Sequence, residues 1–207
     1  MIRKNQNNQM HCSSTDDIGV DLNRNYGYMW GINDQGSSAS PCQEDYRGTA
    51  AFSEPETAAI RDFVLSHPQL KVAINFHAWG NLLVTPFNYS DDKNANELKS
   101  KWPGAAAFYD DLWQNGSLPI NNIKGSGILT VDYTANGEAS DWMLQERGVY
   151  AMSPELGSSS KRSQEFFITD ANDLKLTLEE NYVWIEYTML KLQPQLSMSL
   201  ASTDLKD

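Results

Sequence analysis

His77 closes the apolar run Lys71-Val-Ala-Ile-Asn-Phe-His77, and Glu155 follows Val149-Tyr-Ala-Met-Ser-Pro154. An imidazole and a carboxylate at the ends of two apolar stretches can hold a cation and move a proton. Asn23 and Arg24, in Gly19-Val-Asp-Leu-Asn-Arg-Asn-Tyr26, offer a different chemistry. A planar guanidinium matches a carboxylate fork, and a neighbouring amide adds a further donor, so the pair suits an anionic group. Tyr133, in Asp132-Tyr-Thr-Ala-Asn-Gly137, precedes Asp141-Trp142 and then Glu155. Each residue also has a plainer reading: a core histidine, a structural salt bridge, a surface Asn-Arg pair, an exposed turn tyrosine.

The elements that must position these groups alternate. Ser53-Glu-Pro-Glu56 has the spacing of a capping box, and Ala59, Ile60, Phe63 and Val64 follow at helical steps before Ser66-His67-Pro68. Residues 71–78 predict a strand covered on both faces, with residues 82–85 as its neighbour. Residues 105–113 and 138–147 predict helices, and 148–153 a second buried strand. Leu178, Tyr182, Ile185, Met189 and Leu192 form a helical stripe ahead of Pro194 and a polar tail over 194–207. Residues 1–17 and 31–50 are polar or rich in Gly, Ser and Pro, and read as loops. The pattern predicts an α/β fold with a mixed, largely parallel central sheet flanked by helices. In open sheets of that kind ligands bind beyond the carboxyl ends of the strands, where His77 and Glu155 both fall.

A chain of 207 residues is long enough for a single domain that buries about 70% of its unfolded surface. A net charge of -11 argues against nucleic acid and anionic membranes as partners. No apolar run approaches the ~20 residues of a membrane span, and the opening Met1-Ile-Arg-Lys-Asn-Gln6 is too polar for a signal peptide. Cys12 and Cys42 either form a disulfide, closing a loop of about 30 residues, or stand as unrelated thiols. Asn88-Tyr-Ser90 and Asn115-Gly-Ser117 both fit the glycosylation acceptor pattern and tilt toward a secreted parent protein.

The ordered set Asn23-Arg24, His77, Tyr133, Asp141-Trp142 and Glu155 resembles the zinc metallocarboxypeptidases of the carboxypeptidase A/B type. The resemblance implies a zinc carboxypeptidase-like fold in which residues 1–193 are the C-terminal two-thirds of a catalytic domain, N-terminally truncated. It implies Zn2+ as cofactor, His77 as the third zinc ligand, and Glu155 as general base and then acid. Arg3 resembles the arginine that polarises the scissile carbonyl. Asn23 and Arg24 match the grip on the substrate's free α-carboxylate, and Tyr133 the tyrosine that covers the bound terminal residue. Ser140 falls at the floor of the side-chain pocket, with Asn88 on the opposite wall. Glu138 lies close by and reads as a solvated carboxylate at a helix start, with a pull toward basic termini as the alternative.

The implied substrates are peptide or protein C-termini, and the implied setting of the parent protein is secreted or lumenal. The family takes its first two zinc ligands from a His-x-x-Glu motif upstream of the Asn-Arg pair, which this chain does not contain. His11 and His67, in polar surroundings, do not replace it. The chain is therefore expected to bind zinc poorly and to be inactive alone, with open sheet edges that favour association. The alternative is a non-catalytic binder of peptide C-termini.

Overall fold

The structure is a computed structural model that describes residues 3–7, 12, 18–119, 123–157 and 171–203, with side chains to residue 192. The first helix, α1 (Pro55–Ser66), has Pro at its first position, where the missing N–H costs nothing. The capping box does not form. Ser53 Oγ donates instead to Glu54 Oε1 at 2.7 Å. The helix start is held from a distance by Asn25, whose Oδ1 accepts from Glu54 N at 3.3 Å and Thr57 Oγ1 at 2.6 Å. That anchor turns the Thr57 and Val64 face inward and leaves Ile60 and Phe63, two of the apolar positions at helical spacing, exposed.

Among the described residues, five strands make one sheet: β1 (Val72–Ile74), β2 (His77–Ala78), β3 (Leu82–Val84), β4 (Lys124–Gly125) and β5 (Tyr150–Leu156). The order is β1-β5-β3-β4, with β2 also paired to β5. The β1·β5, β2·β5 and β3·β4 pairings are parallel, and β3·β5 is antiparallel. The mixed, largely parallel sheet is as the alternation of elements predicts.

Two details differ from expectation. Residues 71–78 form two short strands with half-buried side chains, and residues 82–84 are not their neighbour, because β5 lies between. The cause is the turn at 79–81, which carries the chain over the end of β5 so that His77 and Leu82 both pair with Glu155. Gly80, at φ +140°, permits that turn; a Cβ there would meet Leu82 Cδ2 at 3.1 Å.

Helices cover the sheet: α2 (Asn96–Lys101), α3 (Pro103–Asn115), the short α4 (Gly127–Thr130), α5 (Ala139–Arg147) and α6 (Ala171–Thr203). Leu83, Tyr109, Leu112, Leu144, Met152 and Trp184 centre one apolar cluster. Tyr26, Val64, Trp142, Val149 and Ala151 centre another. Tyr109, wholly enclosed, still satisfies its hydroxyl by donating to Ala151 O at 2.7 Å.

The face of α6 is the largest correction. Leu178, Tyr182 and Met189 are exposed, at 60, 63 and 65%, while Thr177, Asn181, Trp184 and Thr188 are buried. These polar residues serve one another: Asn181 Nδ2 donates to Thr177 O, Trp184 Nε1 to Asn181 Oδ1 and Thr188 Oγ1 to Trp184 O. The side chains of Asn181, Trp184 and Thr188 are thus paired within the helix, which lowers the cost of their burial and lets Trp184 enter the core, while Thr177 Oγ1 is buried without a partner among the described residues. The helix also continues through Pro194 to Thr203.

The leading segment is tied down where it is described. Cys12 and Cys42 form a disulfide with Cα atoms 5.5 Å apart. Lys4 donates to the carbonyls of Pro41 and Gln43 at 2.8 and 2.9 Å. Among the described residues, no helix is long and apolar enough to cross a membrane.

Candidate active site

Asn23 and Arg24 lie in a short 3-10 turn, Leu22–Arg24, that begins where Asp21 accepts from Asn23 N at 3.1 Å. The turn is clamped from both sides. Asn25 Nδ2 donates to Arg47 O, Ala50 O and Ser53 Oγ at 2.8–3.0 Å. Tyr26 N donates to Gly137 O at 2.9 Å, and Ala139 N to Asn23 Oδ1 at 3.1 Å. Gly137, at φ +69°, allows this approach, since a Cβ would sit 2.5 Å from Arg24 O. Asp21 also pairs with Arg3 at 2.7 Å.

Arg3, Asn23, Arg24, His77, Tyr133 and Glu155 line one cleft that is open to solvent. Val84, Asn88, Gly127, Val131, Ala135, Glu138 and Ser153 complete its walls. The arrangement follows from the sheet: His77 and Glu155 are register partners across β2 and β5. Side chains two apart in a strand share a face, which brings Ser153 beside Glu155. That period was the available signal for Ser153, which sequence reasoning missed.

His77 Nε2 faces two amides, Asn75 Nδ2 at 2.9 Å and Asn23 Nδ2 at 3.4 Å. Facing two donors, Nε2 is the acceptor nitrogen, which assigns the proton to Nδ1. Burial lowers the His77 pKa and favours the neutral ring; Glu138 opposes this and Arg3 reinforces it. Burial pushes the Glu155 carboxyl up to about 7, against the pull of Arg3 and Arg24. A carboxyl at that value can both accept and return a proton near neutral pH.

Arg24 is 5% exposed. It donates from Nη1 to Asn23 O at 2.9 Å, and its Nε has no hydrogen-bond partner among the described residues. A buried guanidinium N–H left open in a cleft favours an incoming acceptor. Arg3 is held on Asp21, which raises its pKa although burial works the other way. Tyr133 is exposed at the cleft, after α4.

The floor differs from the sequence reading. Ser140 is fully buried one layer below the cleft, donating its hydroxyl to Glu138 Oε2 at 2.6 Å. Glu138 is not solvated: it is 3% exposed, caps α5 and lines the cleft. Its Oε2 accepts from Ser140 N and Asp141 N at 2.8 and 3.0 Å. Asn88, an acceptor site for glycosylation by its pattern, is interior; its Oδ1 accepts from Gly127 N and its Nδ2 reaches Glu138 and Asp141 at 3.2 Å. Asn115, in the other such pattern, is exposed at the end of α3.

A zinc site is not completed by these groups. Among the described residues no group of three His, Cys, Asp or Glu could hold a metal ion, against the three protein ligands typical of catalytic zinc. His67 is half-buried and stacked on Phe63, and His11 lies outside the described residues.

A family model described as zinc carboxypeptidase matches residues 1–183. The chain belongs to the zinc carboxypeptidase family. It is 29% identical over 171 residues to carboxypeptidase A1 of Rattus norvegicus, covering 80% of this chain and 38% of that protein. It is 33% identical over 172 residues to carboxypeptidase A5 of Homo sapiens, covering 83% and 37%. Among solved structures, bovine thrombin-activatable fibrinolysis inhibitor in complex with tick carboxypeptidase inhibitor aligns with a TM-score of 0.68 at 27% identity, over 93% of this chain and 62% of that one. Carboxypeptidase A from Helicoverpa armigera aligns with a TM-score of 0.61 at 26% identity, over 90% and 44%. The chain thus spans 37–39% of the length of the curated relatives it matches.

Proposed function

We propose that this chain carries the substrate-anchoring and proton-transfer side of a metallocarboxypeptidase site that releases C-terminal amino acids from peptides. The observation that carries the reading is Arg24: a buried guanidinium with an open N–H, beside the Asn23 amide, in the same cleft as His77 and Glu155. Together they suit the α-carboxylate of a peptide's last residue. Tyr133, exposed at the cleft, is placed to close over that residue. Glu155 takes a proton from the attacking water and returns it to the departing amine, and Arg3 faces the developing oxyanion.

Zinc is the family's metal, and this chain contributes His77 as one recognisable ligand. The donors described here do not complete a zinc set, so we assign hydrolysis to the site only where further ligands are supplied. The same observation favours a second reading for the chain by itself, a binder of peptide C-termini without chemistry. The disulfide favours an oxidising setting, secreted or lumenal.

Calorimetry with an N-acylated dipeptide, as free acid and as C-terminal amide, tests the anchor. Binding of the acid alone, lost in Arg24→Ala, is expected; equal binding of acid and amide would sink the reading.

A further inference from the structure

We propose that Asn115 is a site of N-linked glycosylation, singled out by the fold from the two places where the sequence offers one. The inference rests on the lumenal setting that the disulfide favours. The acceptor pattern occurs at Asn88-Tyr-Ser90 and at Asn115-Gly-Ser117, and the pattern alone does not choose between them. A glycan is bulky and hydrophilic, so the folded chain can carry it only where the amide reaches water.

Asn88 fails that condition. It is 1% exposed, and both ends of its amide are engaged. Oδ1 accepts from Gly127 N at 2.8 Å, and Nδ2 donates to Glu138 Oε2 and Asp141 Oδ1, each at 3.2 Å. Exchanging an Nδ2 hydrogen for a sugar would take a donor from a buried carboxylate and push the sugar into the wall of the cleft, which Asn88 lines.

Asn115 meets it. The helix α3 ends here: Gly116 N donates to Leu112 O at 2.8 Å, and Ser117, at φ +56°, turns the chain off the helical path. Gly116 is the residue turned inward. It is buried, and a Cβ on it would meet Leu112 O at 2.5 Å and Leu112 Cδ1 at 2.6 Å. The middle of the tripeptide therefore packs against the helix, while Asn115 and Ser117 on either side are exposed. Among the described residues the Asn115 amide makes one hydrogen bond, Nδ2 to Asp111 Oδ1 at 2.9 Å, across an exposed helical turn. An amide nitrogen carries two hydrogens, so the second is free for exchange and the contact with Asp111 can outlast the modification. Residues 115–117 do not line the cleft, so the glycan is carried outside the site.

The donor class is an oligosaccharide held on a polyprenyl diphosphate. Nδ2 of Asn115 forms a bond to the anomeric carbon, the bond from that carbon to the diphosphate oxygen breaks, the polyprenyl diphosphate leaves with the electron pair, and the amide releases one proton. Nothing is oxidised or reduced.

The test expresses the full chain behind a cleavable leader in a eukaryotic secretory cell and collects it from the lumen and the medium, which fixes the compartment. Digestion with a peptide N-glycosidase in heavy-oxygen water is expected to lower the mass by one glycan and to leave the heavy label at residue 115, with no label in the undigested control. Asn115→Gln and Ser117→Ala are expected to abolish the mass step, and Ser90→Ala, which disables the other pattern without touching the buried Asn88 amide, to leave it unchanged. A wild-type chain whose mass does not change on digestion, or a step that survives Ser117→Ala, overturns the proposal. Free thiols at Cys12 and Cys42 in the same material would overturn the lumenal reading instead, without altering the result at Asn115.

Discussion

His77 and Glu155 stand opposite each other in register where β2 pairs with β5, and His77 Nε2 lies within reach of the Asn23 amide that neighbours Arg24. A strand pairing fixed by backbone hydrogen bonds thus brings the residues proposed as metal ligand, proton carrier and substrate anchor together.

One imidazole does not retain a metal against dialysis. The chain equilibrated with zinc is expected to keep well under one tightly held ion, and to leave a blocked dipeptide uncleaved. One-to-one zinc surviving dialysis, with turnover, would refute this.

Arg24 separates shape from charge. Arg24→Lys keeps the charge and loses the fork, so the affinity for a free-acid peptide is expected to fall roughly tenfold or more, with the amide form unaffected. Titration of both peptides against both proteins gives the answer, and an unchanged acid affinity would rule out two-point recognition.

Acid stability is tied to Glu54. Burial alone would raise its pKa, but hydrogen bonds from Asn7, Asn5 and Ser53 prevail and hold it below the ordinary 4.5. A folded value below the unfolded one contributes stability above pH 4.5 that is lost as pH falls through the folded value. Denaturant unfolding between neutral pH and pH 3 is expected to show a steeper loss in the wild type than in Glu54→Gln. Parallel curves would exclude the linkage.

The orientation of α6 is testable with two aromatic truncations. Trp184→Ala is expected to cost about 3–5 kcal/mol, and Tyr182→Ala about 0.5 kcal/mol or less. Chemical unfolding of the two variants would expose a reversed orientation directly.

The sequence carried the site better than it carried the faces of the helices. The positions of His77 and Glu155 followed from apolar runs ending in polar groups, because strand ends are where a sheet opens to ligand. Apolar periodicity failed on α6 and on α1. On α6 the inward face includes Thr177, Asn181 and Thr188, and the side chains of Asn181 and Thr188 are hydrogen-bonded within the helix. On α1 a distant amide, Asn25, decides which side faces in. Glu138 was hidden for the same reason: helix-start glutamates are commonly solvated, and only the neighbours Asn88, Ser140 and Ser153 make this one interior. The crossing at 79–81 could not be read from composition, because it depends on which strand takes the centre of the sheet.

Asn25 has a wider bearing than its size implies. With five side-chain hydrogen bonds it joins the turn bearing Arg24, the 47–53 loop and the first turn of α1. A peptide end would meet a receptor that is already rigid, without having to order that turn on arrival. The same junction makes tolerance to change scarce: a variant that loosens α1 at its start would also blunt recognition at a cleft it never touches.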